Sequence, residues 1–197
     1  TMSTELTNTS KLREFVEELK KLNIEIIKPS INKCFSDFKA INGKLFYGLG
    51  AIKNVGFEAI SNIISERENN GKFKSFFDFI NRVNAKDVNK LQLEGLVKAG
   101  VFDEFDEDRN KILNSIPKII QKIKNINDDK ENHQSNLFDE QEKEKNEFVY
   151  ESSLPWSLKE LLSEEFKSIG FYLTNHPLHE FEEIFNQLKI KSYNQFY

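Results

Sequence analysis

Leu12, Phe15, Val16, Leu19 and Leu22 recur three and four residues apart, a spacing that predicts an amphipathic helix over residues 11–22, ending near Asn23. Ile24-Glu25-Ile26-Ile27 then reads as a short strand stopped by Pro29. Phe35, Phe38 and Ile41 lead into Asn42-Gly43, and Leu45, Phe46 and Tyr47 leave it; Asn-Gly between apolar runs is the signal for a two-residue β-hairpin. The stretch Gly48-Leu49-Gly50-Ala51-Ile52-Lys53-Asn54-Val55-Gly56 follows as a short helix and a tight reversal over 53–56. A second helix runs from Phe57 to Arg67, with Ala59, Ile60, Ile63 and Ile64 as its apolar stripe and Asn69-Asn70-Gly71 as its stop. Glu66, Arg67 and Glu68 are expected to face water.

Ser75 and Asp78 have the spacing of a capping box, with Ser75 accepting from the amide of Asp78 and Asp78 reaching back to the amide of Ser75. Phe76, Phe77, Phe79, Ile80 and Val83 behind it read as core. The next helix is predicted over 88–98 through Leu91, Leu93, Leu96 and Val97, with Gly100 just past its end. Residues 98–101 are then a second reversal, and Ile112, Leu113, Ile116, Ile119, Ile120 and Ile123 mark the helix after it. Pro117 is expected to kink or restart that helix. Residues 125–155 turn polar and read as a linker, interrupted by Leu137 and Phe138. Ser157 and Glu160 form another capping box opening a helix with Leu161, Leu162, Phe166 and Ile169, which ends at Gly170. An extended Phe171-Tyr172-Leu173, a turn at His176 and a last helix with Phe181, Ile184, Phe185 and Leu188 complete the chain. The fold class is mainly α, a helix, Gly reversal and helix occurring twice, with a small β-hairpin and a short strand near the N-terminal end.

Composition narrows the function. No apolar run approaches the roughly 18 residues of a membrane span, and no signal-peptide pattern occurs, so the expected setting is cytoplasmic. Cys34 is the single cysteine, which excludes intrachain disulfides and multi-Cys zinc sites and points to a packed thiol. His133, His176 and His179 are too scattered for a zinc site. There is no phosphate loop with Lys and Ser/Thr, no His-Glu-x-x-His and no Ser-centred nucleophile elbow. The net charge of −4 hides an asymmetry, because bases outnumber acids up to residue 100 and acids outnumber bases beyond it. Arg109, Lys111, Lys118, Lys122 and Lys124 occur without an intervening acid. A basic face can therefore coexist with an acidic total.

The reversal over 53–56 carries the candidate chemistry. Gly56 can take positive φ without a Cβ penalty, and Asn54 is among the few other residues that tolerate it. The first amides of the following helix would then point outward, at the positive end of its dipole, and make a phosphate-sized socket. The same stretch reads equally well as a turn that binds nothing.

The chain resembles the C-family replicative DNA polymerases, the alpha subunits of bacterial DNA polymerase III, over essentially its whole length. The phrases that carry the resemblance are Phe46-Tyr47-Gly48-Leu49-Gly50-Ala51-Ile52-Lys53-Asn54-Val55-Gly56, Phe73-Lys74-Ser75-Phe76-Phe77-Asp78-Phe79, Leu96-Val97-Lys98-Ala99-Gly100-Val101-Phe102-Asp103, Gly170-Phe171-Tyr172-Leu173 and His176-Pro177-Leu178. Asn175 departs from the glycine usual before His176, and Pro117 and the Asn/Lys-rich linker are also untypical. The resemblance implies the end of a fingers domain over 1–33 and a tandem helix-hairpin-helix domain over 34–124. It further implies a linker with a clamp-binding motif over 125–155 and a helical segment over 156–197 leading toward an OB domain. Lys53, Asn54, Val55, Gly56, Lys98, Ala99, Gly100, Val101, Arg109 and Lys111 would contact the phosphates of double-stranded primer-template DNA, with little base readout. Gln134, Leu137 and Phe138 of Gln134-Ser135-Asn136-Leu137-Phe138 would bind the sliding clamp, the apolar pair filling a groove and the Gln bonding at its rim. Catalytic aspartates and their magnesium would belong to a palm domain outside this chain, leaving this segment monomeric, without cofactor and catalytically inert. Other replicase subunits would be met through the parent. Two other readings fit the helices: a helix-hairpin-helix module of a repair nuclease or helicase, and a helical protein-interaction domain whose reversals are only turns.

Overall fold

The computed structural model describes residues 2–131 and 148–188. Helix α1 (Thr9–Lys21) opens on Asn8, whose side chain accepts from the amide of Lys11, and buries Leu12 and Val16. It ends as expected at Asn23, which has φ 55. Strand β1 (Ile26–Ile27) pairs parallel with β3 (Lys44–Phe46), and β2 (Lys39–Ile41) pairs antiparallel with β3, giving the order β1-β3-β2. Asn42 and Gly43 between β2 and β3 both take positive φ, as the favoured two-residue turn requires. A 3-10 turn (Leu49–Ala51) leads into the first reversal and α2 (Phe57–Asn70), which stops at Gly71 with φ 83.

Helices α3 (Phe76–Arg82), α4 (Lys90–Lys98), α5 (Arg109–Glu131), α6 (Leu158–Ile169) and α7 (Glu182–Gln187) follow. The aromatic run after Ser75 is core: Phe76 and Phe79 are buried and meet Phe102 edge to face, each at 4.9 Å. Phe77 is half-buried, with the Lys122 ammonium 4.5 Å above its ring. Leu93, Leu96 and Val97 of α4 and Ile112, Ile116, Ile119 and Ile123 of α5 complete one continuous core.

Several expectations change. Arg67 does not face water: it is 6% exposed and donates to the carbonyls of Ile31 and Cys34 at 2.7 and 2.6 Å. Only half of the Ser75 capping box forms, because the Asp78 carboxylate accepts from the amide of Lys74 and not from that of Ser75. The helix predicted from Val88 begins at Lys90, after a 3-10 turn (Ala85–Asp87), and is opened by an Asn89/Gln92 capping box. Helix α5 runs through Pro117 without restarting and passes Lys124 to end at Glu131. Asn127 explains the extension: its side chain donates to the carbonyls of Ile123 and Val83 and accepts from the amide of Ala85, tying a polar residue to the turn after α3.

Residues from Phe148 on, before the expected end of the linker, are packed. Phe148 and Tyr150 lie against the core, and the amide of Glu151 donates to Ser115 Oγ at 2.8 Å. The second capping box, Ser157 with Glu160, forms completely, and Gly170 closes α6 with φ 94. His176 is a turn residue whose Nδ1 accepts from the amide of Leu178. Asn175 is not among the residues at positive φ, so the position tolerates a side chain.

Candidate nucleic-acid interface

The two reversals share a pattern but not an environment. In the first, the residue at positive φ is Asn54 (φ 65), while Gly56 has φ −71 and serves as N-cap of α2. Backbone conformation therefore does not require glycine at 56, where an added Cβ would meet the flexible end of the Gln92 side chain at 3.3 Å. No side chain caps α2, so its first-turn amides lack the partner that Ser, Thr, Asp or Asn would supply. Lys53, Asn54, Gly56 and Phe57 are exposed and Val55 is half-buried. Among the described residues Lys53 has no ion-pair partner.

The reversal is held from beneath. The amide of Lys53 donates to the carbonyl of Ser168 at the end of α6, and that of Val55 to the carbonyl of Ile52. A Cβ on Gly95 of α4 would lie 2.6 Å from the carbonyl oxygen of Lys53, so α4 carries glycine where the reversal crosses it. Gln92, one turn earlier, reaches Gly56 with its side-chain nitrogen.

The second reversal turns inward. Gly100 has φ 78, and Ala99, Gly100 and Val101 are all buried. Their amides donate to the carbonyls of Gly95, Val97 and Leu96, each at 3.0 Å. Arg109 is 5% exposed and bidentate to Asp103 at 2.8 and 2.6 Å. Its third nitrogen donates to the carbonyl of Lys98 at 2.9 Å. The guanidinium fills the space beside Gly100, where a Cβ would approach it to 2.2 Å. Lys98 pairs with Glu164 at 3.0 Å, and Lys111 pairs with Asp106 and lies over the ring of Tyr150. Farther along α5, Lys118 pairs with Glu151. The basic run of α5 is thus turned largely toward acids and aromatic rings of its own chain.

Behind this reversal is a buried acid that the sequence did not single out. Glu165 is fully buried and accepts from the amides of Leu173 and Thr174 and from the Thr174 hydroxyl, with Arg109 3.8 Å away. Burial alone would raise Glu164 next to it, but hydrogen bonds and charge from Lys167 and Lys98 outweigh that and hold its carboxyl below the usual range. Gln92 and Gly95 were also missed. An Asn three residues before a Gln at the head of an apolar run is itself a capping-box signal, so Gln92 was within reach; Gly95 showed nothing but a glycine inside a helix.

Gln134, Leu137 and Phe138 lie outside the described residues. Among the described residues no group of three or more His, Cys, Asp or Glu is placed to hold a metal ion. No described helix is long and apolar enough to cross a membrane.

The model of the helix-hairpin-helix motif matches residues 23–112, which contain both reversals. Curated relatives match nearly the whole chain. The DNA polymerase III subunit alpha of Borreliella burgdorferi is 36% identical over 185 residues, covering 92% of this chain and 16% of the relative. That of Caulobacter vibrioides is 35% identical, covering 91% and 16%. That of Campylobacter jejuni is 33% identical, covering 95% and 16%. The chain therefore spans about a sixth of the length of the relatives it matches. With a helix-hairpin-helix motif at its centre and this likeness along nearly all of its length, the chain belongs to the DNA polymerase III alpha-subunit family, as a segment of such a subunit.

Proposed function

We propose that this segment grips the sugar-phosphate backbone of duplex DNA through its first reversal, without reading sequence. The observation that carries the reading is the contrast between the two reversals: residues 53–57 present to solvent an uncapped helix N-terminus and a lysine that has no ion-pair partner among the described residues, and residues 98–101 do not. Backbone amides and a helix dipole favour an anion at that end of α2, and Lys53 adds a mobile positive charge. None of these groups distinguishes one base from another. The second reversal, with Lys98, Ala99, Gly100, Val101, Arg109 and Lys111, then acts as the anchor that fixes α4 beneath the first. The likeness to polymerase alpha subunits favours this reading over a repair nuclease or helicase.

In the parent, nucleotidyl transfer and the magnesium it uses would reside in another domain. Gln134, Leu137 and Phe138 would engage a sliding clamp, a reading supported by their pattern within a polar stretch and by the family. Titrating a clamp with a peptide spanning residues 133–139 should show binding that Phe138→Ala abolishes; equal binding by both peptides would remove the clamp role.

For DNA, fluorescence anisotropy of the chain with two duplexes of unrelated sequence should give the same weak affinity, falling steeply with salt. A sequence-selective or salt-independent isotherm would overturn the proposal.

A further inference from the structure

We propose that the cleft between α1 and the turn after α6 holds one unpaired nucleotide of a single nucleic-acid strand, its base against the rings of Phe166 and Tyr172 and its phosphate at Lys20. This site is separate from the first reversal and does not depend on the duplex-binding reading above.

The cleft measures about 270 Å3 and is lined on one side by α1 and on the other by α6 and residues 171–179. Three aromatic side chains follow one another along the second wall: Phe166 and Tyr172 lie 5.0 Å apart, and Tyr172 and His176 5.2 Å. Phe166 is 42% exposed, Tyr172 half-buried and His176 exposed, so this wall keeps aromatic surface open. The contrast lies within the same chain, where Phe76, Phe79 and Phe102 meet in series and are all buried. Polar groups complete the cleft. Among the described residues that line it, Glu17 is the one acid, and Arg13 holds it at 2.8 Å. Lys20, three residues further along α1, has no ion-pair partner among the described residues. His176 adds a donor, because its Nδ1 accepts from the amide of Leu178 and the proton of the neutral ring therefore sits on Nε2.

Open rings beside an unpaired cation select a ligand that is aromatic and anionic at once. A nucleotide offers a π-face to Phe166 and Tyr172, acceptor atoms on the edge of its base to His176 Nε2, and a phosphate to Lys20. An apolar partner would cover the rings but leave the ammonium and the Nε2 donor stranded at its edge. In a duplex each base is already stacked on its neighbours and paired at its edge, so a cleft of this size takes a base only from a single strand. Stacking tolerates every base, and the cleft therefore has no strong sequence preference.

Titrating the 197-residue chain with a short oligothymidylate tests this. The chain has three histidines, so their Cε1–H signals can be followed one by one in NMR spectra. The His176 signal should move and saturate with the oligothymidylate and stay still with a blunt duplex. A strand of the same length that lacks bases should bind at least about fivefold more weakly, through the loss of one stacked base. Phe166→Ala, checked for an unchanged thermal midpoint, should weaken oligothymidylate binding by a similar factor and leave duplex affinity as it was. Lys20→Ala, on the solvent side of α1, should flatten the slope of log K against log salt for the single strand by about 0.7. Equal binding by the abasic and thymine strands, or a His176 signal that does not respond, overturns the proposal. Movement of that signal on concentrating the chain alone would assign the cleft to a protein contact and overturn it as well.

Discussion

At the scale of single residues, two buried polar side chains behave in opposite ways. Arg67 sits in the core with its guanidinium on two carbonyls, those of Ile31 and Cys34, which lie in the loop between β1 and β2. Burial lowers its pKa from the usual value, but the group remains the donor that those oxygens need. Arg67→Met should cost about 2–3 kcal/mol in urea unfolding, through orphaned acceptors rather than lost charge. Tyr47 is fully buried, and its hydroxyl has no partner among the described residues. Tyr47→Phe should therefore keep or raise the thermal midpoint, and a clear fall would mean that the hydroxyl is bonded. Cys34 is enclosed with its thiol against the carbonyl of Lys28, and burial pushes its pKa up to about 11. A thiol reagent at pH 7.5 should leave it unmodified in the folded chain and react quickly in urea.

At the scale of elements, the apolar periodicity located nearly every helix, because the stripes of α1, α2, α4, α5 and α6 face one shared core. What it could not supply was long-range hydrogen bonding. Arg67 looked like solvated surface because its acceptors lie more than thirty positions away in the chain. Asn127 looked like linker because the groups that satisfy it belong to the turn after α3. The first reversal was legible in the sequence, and of the two residues that could take positive φ the structure uses Asn54 and not Gly56. The seat of this reversal on α4 depends on Gly95. Gly95→Ala raises helix propensity, yet its Cβ would press on the carbonyl of Lys53 and force the reversal off its seat. It should lower stability by about 1–3 kcal/mol and weaken duplex binding in parallel. A stabilised protein with unchanged binding would show that the contact is dispensable.

At the scale of the whole molecule, one unit of the pair presents itself and the other supports it. The network of Arg109, Asp103 and Glu165 joins the second reversal, the head of α5 and the segment after α6. The amide of Lys53 on Ser168 brings the first reversal into the same body. The sequence alone does not rank the two reversals; burial and hydrogen bonding separate them. The most direct test is the salt dependence of duplex affinity for the parent sequence, Lys53→Ala and Lys98→Ala. Lys53→Ala should flatten the slope of log K against log salt by about 0.9, one phosphate contact, and Lys98→Ala should leave it unchanged because that ammonium already pairs with Glu164. A slope that flattens for Lys98→Ala but not for Lys53→Ala would contradict the account.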